Sequence, residues 1–141
     1  MNKRVSARGV IVQDNEVLTM FRRKKKDDGS FKEYYVIPGG GVEDGEDLEE
    51  AVKRELKEEY NVDIKILGYL GFEERDTTIS YMFHCEIISG IPKLGGPELY
   101  RCTEDNYYEI RRVDINCLDN IDIDGKEFIL KAVNGKYSNI K

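Results

Sequence analysis

Apolar and polar positions in this chain change period along its length, and the changes divide it into elements. Residues 5–12 and 17–22 read as two strands joined by the turn-like pair Asp14-Asn15. Residues 34–37 predict a short buried strand that runs into Pro38 and a turn at Gly39-Gly40-Gly41. Near Leu48 the period becomes helical, with Asp47 as N-cap and Glu50 three residues on, an aspartate form of the capping box. Beyond it, residues 64–72 and 78–88 predict two longer strands around Glu73-Glu74-Arg75-Asp76. In the second of these, Ile79, Tyr81, Phe83 and Cys85 alternate with Ser80, Met82, His84 and Glu86. Its aromatic face suits either core packing or the stacking of a base. Residues 90–97 predict a loop, 107–114 a strand and 126–133 a short closing helix. Strands and helices without regular βαβ alternation predict an α+β architecture, a mixed sheet between helices. Residues 1–141 are expected to form one domain.

The helix carries an anomaly. With Leu48 at zero and ~100° per residue, Ala51, Val52 and Leu56 share its face, whereas Glu49, Glu50, Lys53, Arg54 and Lys57 lie opposite. Glu55 and Glu59 fall inside the apolar arc and Glu58 at its edge. A helix that only covers a core has no use for carboxylates there, because unpaired buried charges cost several kcal/mol. Arg54 stands one turn before Glu58 and can orient it, but one arginine cannot balance three acids. Clustered carboxylate oxygens without neighbouring histidine or cysteine suit Mg²⁺ or Mn²⁺, hard cations that keep waters and bind substrate phosphates.

The spacing resembles the Nudix box. It runs Gly40, five residues, Glu46, seven residues, Arg54-Glu55-Leu56, one residue, Glu58-Glu59, one residue, Asn61-Val62. Only the closing glycine differs, and asparagine tolerates the left-handed conformation that a terminating glycine would adopt. The resemblance implies a Nudix α/β/α sandwich and a metal-dependent hydrolase of a nucleoside diphosphate linked to another moiety. A nucleoside triphosphate or related nucleotide is the expected substrate. Glu55, Glu58, Glu59 and Arg54 would be catalytic, with Gly40 and the three acids at the metal. Family members often add an acid from outside the box, for which Glu104 and Glu109 are candidates. Gly39, Gly40 and Gly41 would let backbone approach phosphate. Arg22 or Arg23 would border the substrate, and Tyr81 is a further candidate contact. Two other readings stay open: a catalytically weak Nudix module that binds and reports a nucleotide, and a structural acidic domain. The ADP-ribose subfamily tends to carry a proline some sixteen residues beyond its box. Thr77-Thr78-Ile79 stands there instead, which counts slightly against that substrate.

Composition narrows the partners. A net charge of −6 argues against a nucleic-acid polymer and requires metal or local basic groups for any phosphate ligand. The basic run Arg22-Arg23-Lys24-Lys25-Lys26 reads as a solvated hairpin loop. Cys85, Cys102 and Cys117 have no paired motif and, even with His84, give no zinc spacing, so reduced thiols are expected. No apolar run approaches ~20 residues and no signal-type segment is visible, so a cytoplasmic protein without membrane contact is expected. Oligomeric state is not legible.

Overall fold

A computed structural model of the protein describes residues 3–95 and 102–139. Four strands and a helix come first: β1 (Arg4–Gln13), β2 (Glu16–Lys25), β3 (Phe31–Val36), β4 (Gly39–Gly41) and α1 (Leu48–Tyr60). There follow β5 (Asp63–Glu74), β6 (Thr78–Ser89), β7 (Asn106–Asp114), a 3-10 turn (Ile115–Asn120) and α2 (Lys126–Val133). β1 runs parallel to β6, while the pairs β5–β6, β1–β4, β2–β3 and β2–β7 are antiparallel. Among the described residues the result is a mixed sheet of seven strands. One face carries α1 over Ala7, Ile11, Leu18, Phe83 and Tyr108; the other carries α2 over Val10, Val17, Leu70 and Met82. This is the expected α+β arrangement. No helix among the described residues is long and apolar enough to cross a membrane.

Local chemistry explains the turns. Asp14 and Asn15 both take positive φ, 53° and 62°, the conformation that tight hairpins favour and these residue types tolerate. The capping box of α1 forms as expected, Glu50 N donating to Asp47 Oδ1 at 2.8 Å and Asp47 N to Glu50 Oε1 at 3.3 Å. Asn61 closes the helix at φ 60° and ψ 35°, and its Nδ2 donates to Ile91 O at 3.3 Å. Asn61→Gly should therefore be close to neutral. Asn61→Val should cost about 1–2 kcal/mol, because a β-branched residue resists the left-handed region. Urea melts of the two variants check this, and equal midpoints would contradict the cap.

Three expectations are corrected. The basic run is strand and not loop: β2 continues to Lys25, with Lys24 opposite Lys32 and Lys25 opposite Phe31. Aromatic neighbours explain the extension, since Arg22 stacks on Tyr34 and Tyr108, and Arg23 on Phe31 and Tyr107. The glycine turn is the short strand β4, with Ser6, Ala7 and Arg8 opposite Gly41, Gly40 and Gly39. The strand at residues 34–37 starts earlier, at Phe31, and of those four residues only Ile37 is buried. In the 90–97 loop, residues 90–95 lack regular structure, and Gly96 and Pro97 lie outside the described residues. Cys85, Cys102 and Cys117 are free thiols.

Candidate active site

The helical wheel is realised in α1. Ala51, Val52, Leu56 and Tyr60 are buried, Leu48 is partly so, and Glu55 goes in with them at 8% exposure. Glu59 is half-buried and Glu58 exposed. Glu55 sits directly on β4. A Cβ added to Gly40 would stand 2.6 Å from the Glu55 carboxyl carbon, so a side chain there would push the carboxylate from its place.

Arg54 ties the box together. Its Nε and Nη2 form a fork to Glu46, at 2.7 and 3.0 Å; Nη2 also donates to Gly41 O at 2.9 Å. Nη1 reaches Glu55 at 3.0 Å and Glu58 at 3.4 Å. Glu46 returns through Oε1 to the Glu43 amide at 3.0 Å, closing the loop before the helix. Sequence spacing points Arg54 at Glu58, but its shorter bonds go to Glu46 and Glu55. A charged fork of this kind is the strong form of hydrogen bond. It holds the Glu46 carboxyl below the usual range, and the same bond is the main force pushing the Arg54 guanidinium up.

Above this layer lies a cavity of about 370 Å³ with Gly39, Gly40, Gly41, Glu55 and Glu59 in its walls. Arg4, Arg8 and Arg22 line it too, so three guanidinium groups share it with the two acids. Arg22 Nη2 donates to Tyr108 Oη at 2.8 Å, and the guanidinium carbon lies 4.5 Å from the ring centre. Arg4, Arg8 and Tyr108 are not among the residues that the sequence pattern singles out. Arg8 leaves one signal, a charge between Ala7 and Gly9 in an otherwise buried stretch.

Other candidates lie elsewhere. Arg23 and Glu109 line a separate cavity of about 510 Å³ with Phe21, Tyr35 and Arg111. Glu109 accepts from Tyr107 Oη at 2.6 Å and from Arg111 Nε, in that order the causes that keep its carboxyl low. It is thus committed on the face of β7 away from Tyr108. Glu104 is exposed in the bend before β7 and does not line the cavity at Glu55. Tyr81 packs towards Phe72, ring centres 6.0 Å apart, in a third cavity beside α2.

The donor set has a definite character. Among the described residues no three His, Cys, Asp or Glu side chains gather closely enough for a preformed metal cage. Two carboxylates beside glycine backbone in an open cavity do fit a hard divalent cation, which is held by one or two carboxylates, waters and the substrate's own phosphates.

The profile of the NUDIX domain matches residues 3–120. The chain belongs to the Nudix family. It is 33% identical over 131 residues to the ADP-ribose pyrophosphatase of Methanocaldococcus jannaschii, across 89% of this chain and 70% of that one. A MutT NUDIX hydrolase from Burkholderia pseudomallei has a similar fold, with a TM-score of 0.71 and 21% identity over 94% of this chain and 99% of that one. A NUDIX hydrolase from Nitrosomonas europaea gives a TM-score of 0.74 at 17% identity, over 99% of this chain and 94% of that one. The chain is accordingly a Nudix pyrophosphohydrolase, and its Nudix box occupies β4, the following loop and α1.

Proposed function

We propose that this Nudix protein cleaves the pyrophosphate of a nucleoside diphosphate joined to a second group, using Mg²⁺ or Mn²⁺, as family members generally use divalent metals. The observation that carries the reading is the buried Glu55 carboxylate above Gly40, braced by Arg54, in a cavity shared with Glu59 and three arginines. Gly40, Glu55, Glu59 and, from the rim, Glu58 would hold the metal. When bound, such an ion offsets phosphate charge and lowers the pKa of a bound water. Arg4, Arg8 and Arg22 give an acidic protein the local positive charge that a phosphate ligand needs. Glu55 takes the proton of the attacking water, held in place through Arg54. Glu109, a candidate acid from outside the box, lines the other cavity.

For the substrate we favour ADP-ribose. Support comes from the 33% identity to an ADP-ribose pyrophosphatase, which outweighs the absent proline near Thr77-Thr78-Ile79 because it spans most of both chains. Water would enter at one phosphorus, giving AMP and ribose 5-phosphate. The test is a panel of ADP-ribose, a dinucleoside polyphosphate, a nucleotide sugar and nucleoside triphosphates, each incubated with Mg²⁺ or Mn²⁺ and resolved into products. AMP and ribose 5-phosphate should accumulate fastest. Release of pyrophosphate from a triphosphate as the dominant reaction would refute the substrate, and no turnover of any member would refute the hydrolase reading.

A further inference from the structure

We propose that Arg8 is a positioning residue of this site: its guanidinium clamps the crossing from β3 to β4 and so sets Gly40 beneath the Glu55 carboxylate. The inference rests on the hydrolytic reading given above. β3 pairs with β2, whereas β4 pairs with β1, so the chain must cross between partners at Ile37 and Pro38. Ile37 is buried at 2% exposure, and its carbonyl needs a donor. Arg8 Nη1 supplies it at 2.8 Å. The next carbonyl, Pro38 O, accepts from Gly9 N at 2.8 Å, and Arg8 itself stands opposite Gly39 in the β1–β4 pairing. Three successive residues of the crossing are therefore held by Arg8 and its neighbour.

The fit leaves little slack. A Cβ on Gly39 would stand 2.3 Å from Ala7 O and 2.6 Å from Arg8 Cα, so the two backbones are already in contact. The equivalent point on Gly40 stands 2.6 Å from the Glu55 carboxyl carbon. A shift of β4 by a fraction of an ångström must change the relation of Gly40 to Glu55, and misplacement on that scale is costly in a catalytic site. Ala7 packs with α1, and a Cβ on Gly9 would meet Leu56 and Val52 of α1. The Arg8 side chain reaches Ile37 O and also lines the cavity of Glu55 and Glu59, which suits a clamp. Burial lowers its guanidinium from the usual value, and Tyr60, Glu59 and Glu55 offset part of this. Lysine would keep the charge, but its ammonium ends one atom short of the Arg8 Nη1 position and cannot reach Ile37 O in the same geometry.

Arg8→Lys and Arg8→Met are compared with the parent by steady-state kinetics on the best substrate of the panel, by calorimetric titration with Mn²⁺ alone, and by thermal melts. In Arg8→Lys we expect kcat to fall roughly 10–100-fold with KM held within about twofold, and Mn²⁺ affinity to weaken at least about threefold. Arg8→Met should fall as far or further; if it does not fold, the lysine variant decides. A folded Arg8→Lys protein with the parent's kcat and Mn²⁺ affinity would overturn the proposal. So would a rise in KM alone, which would make Arg8 a substrate contact. If the parent turns over no nucleotide, weaker Mn²⁺ binding in Arg8→Lys still supports the clamp while the hydrolytic reading fails, and unchanged binding removes both.

Discussion

Glu55→Gln should lower kcat/KM by about 10²–10³-fold or more while leaving the fold intact. The substitution is isosteric and removes only the charge, and general-base and charge-stabilising groups contribute on this scale. Glu55 is singled out by burial: it is 8% exposed, donates nothing, and accepts from Arg54 at 3.0 Å, with its carboxylate seated against Gly40. Arg54 keeps its fork to Glu46 in the variant, so the loop and helix stay joined. Glu59→Gln should show a loss of similar order, because Glu59 lines the same cavity. Glu58→Gln should lose less, because Glu58 is exposed and its bond to Arg54 is long, at 3.4 Å. Kinetics of the three variants in excess Mg²⁺, beside melts of each, make the comparison, with chelator expected to silence the parent. Turnover in Glu55→Gln within a few-fold of the parent would take Glu55 out of the chemistry.

Part of that ranking of acids is legible in the helical period. The wheel puts Glu55 and Glu59 inside the apolar arc and Glu58 at its edge, and burial follows the same order. The Asp47–Glu50 box and the Asn61 cap are legible too, because each depends on residues within one turn. What the sequence hides depends on long-range pairing. Three glycines read as a turn, yet Gly40 stands 33 positions along the chain from Ala7, the partner that makes it strand. Arg22 to Lys25 read as loop because their support, Tyr34, Tyr107 and Tyr108, comes from other strands. Arg22 and Arg23 are adjacent and, as sequence, indistinguishable as phosphate contacts. Strand alternation sends one to the acids' cavity and the other to the opposite face. The same alternation separates Tyr108 from Glu109.

Arg54→Ala should destabilise the protein by about 2–3 kcal/mol at neutral pH, less than for a fully buried pair because some water reaches the network. The side chains of Arg54, Glu46 and Glu55 are 22%, 13% and 10% exposed, so the acids cannot simply turn to solvent when the donor goes. Gly41 O loses its donor as well. Arg54→Lys should recover little of this, since one ammonium cannot serve Glu46 as a fork and Glu55 and Gly41 together. The pH dependence distinguishes charge from packing. Arg54 hydrogen bonding holds the folded-state Glu46 carboxyl below its ordinary value. A depressed carboxyl adds stability that is present above the unfolded value, about 4.3, and is lost as pH falls through the folded one. The gap between parent and Arg54→Ala should therefore be widest near neutrality and close on acidification below about pH 4. Urea melts of both proteins across that range would show it. A gap that stays constant with pH would mean that Arg54 acts through its packed methylene stem and not through the carboxylates that it joins.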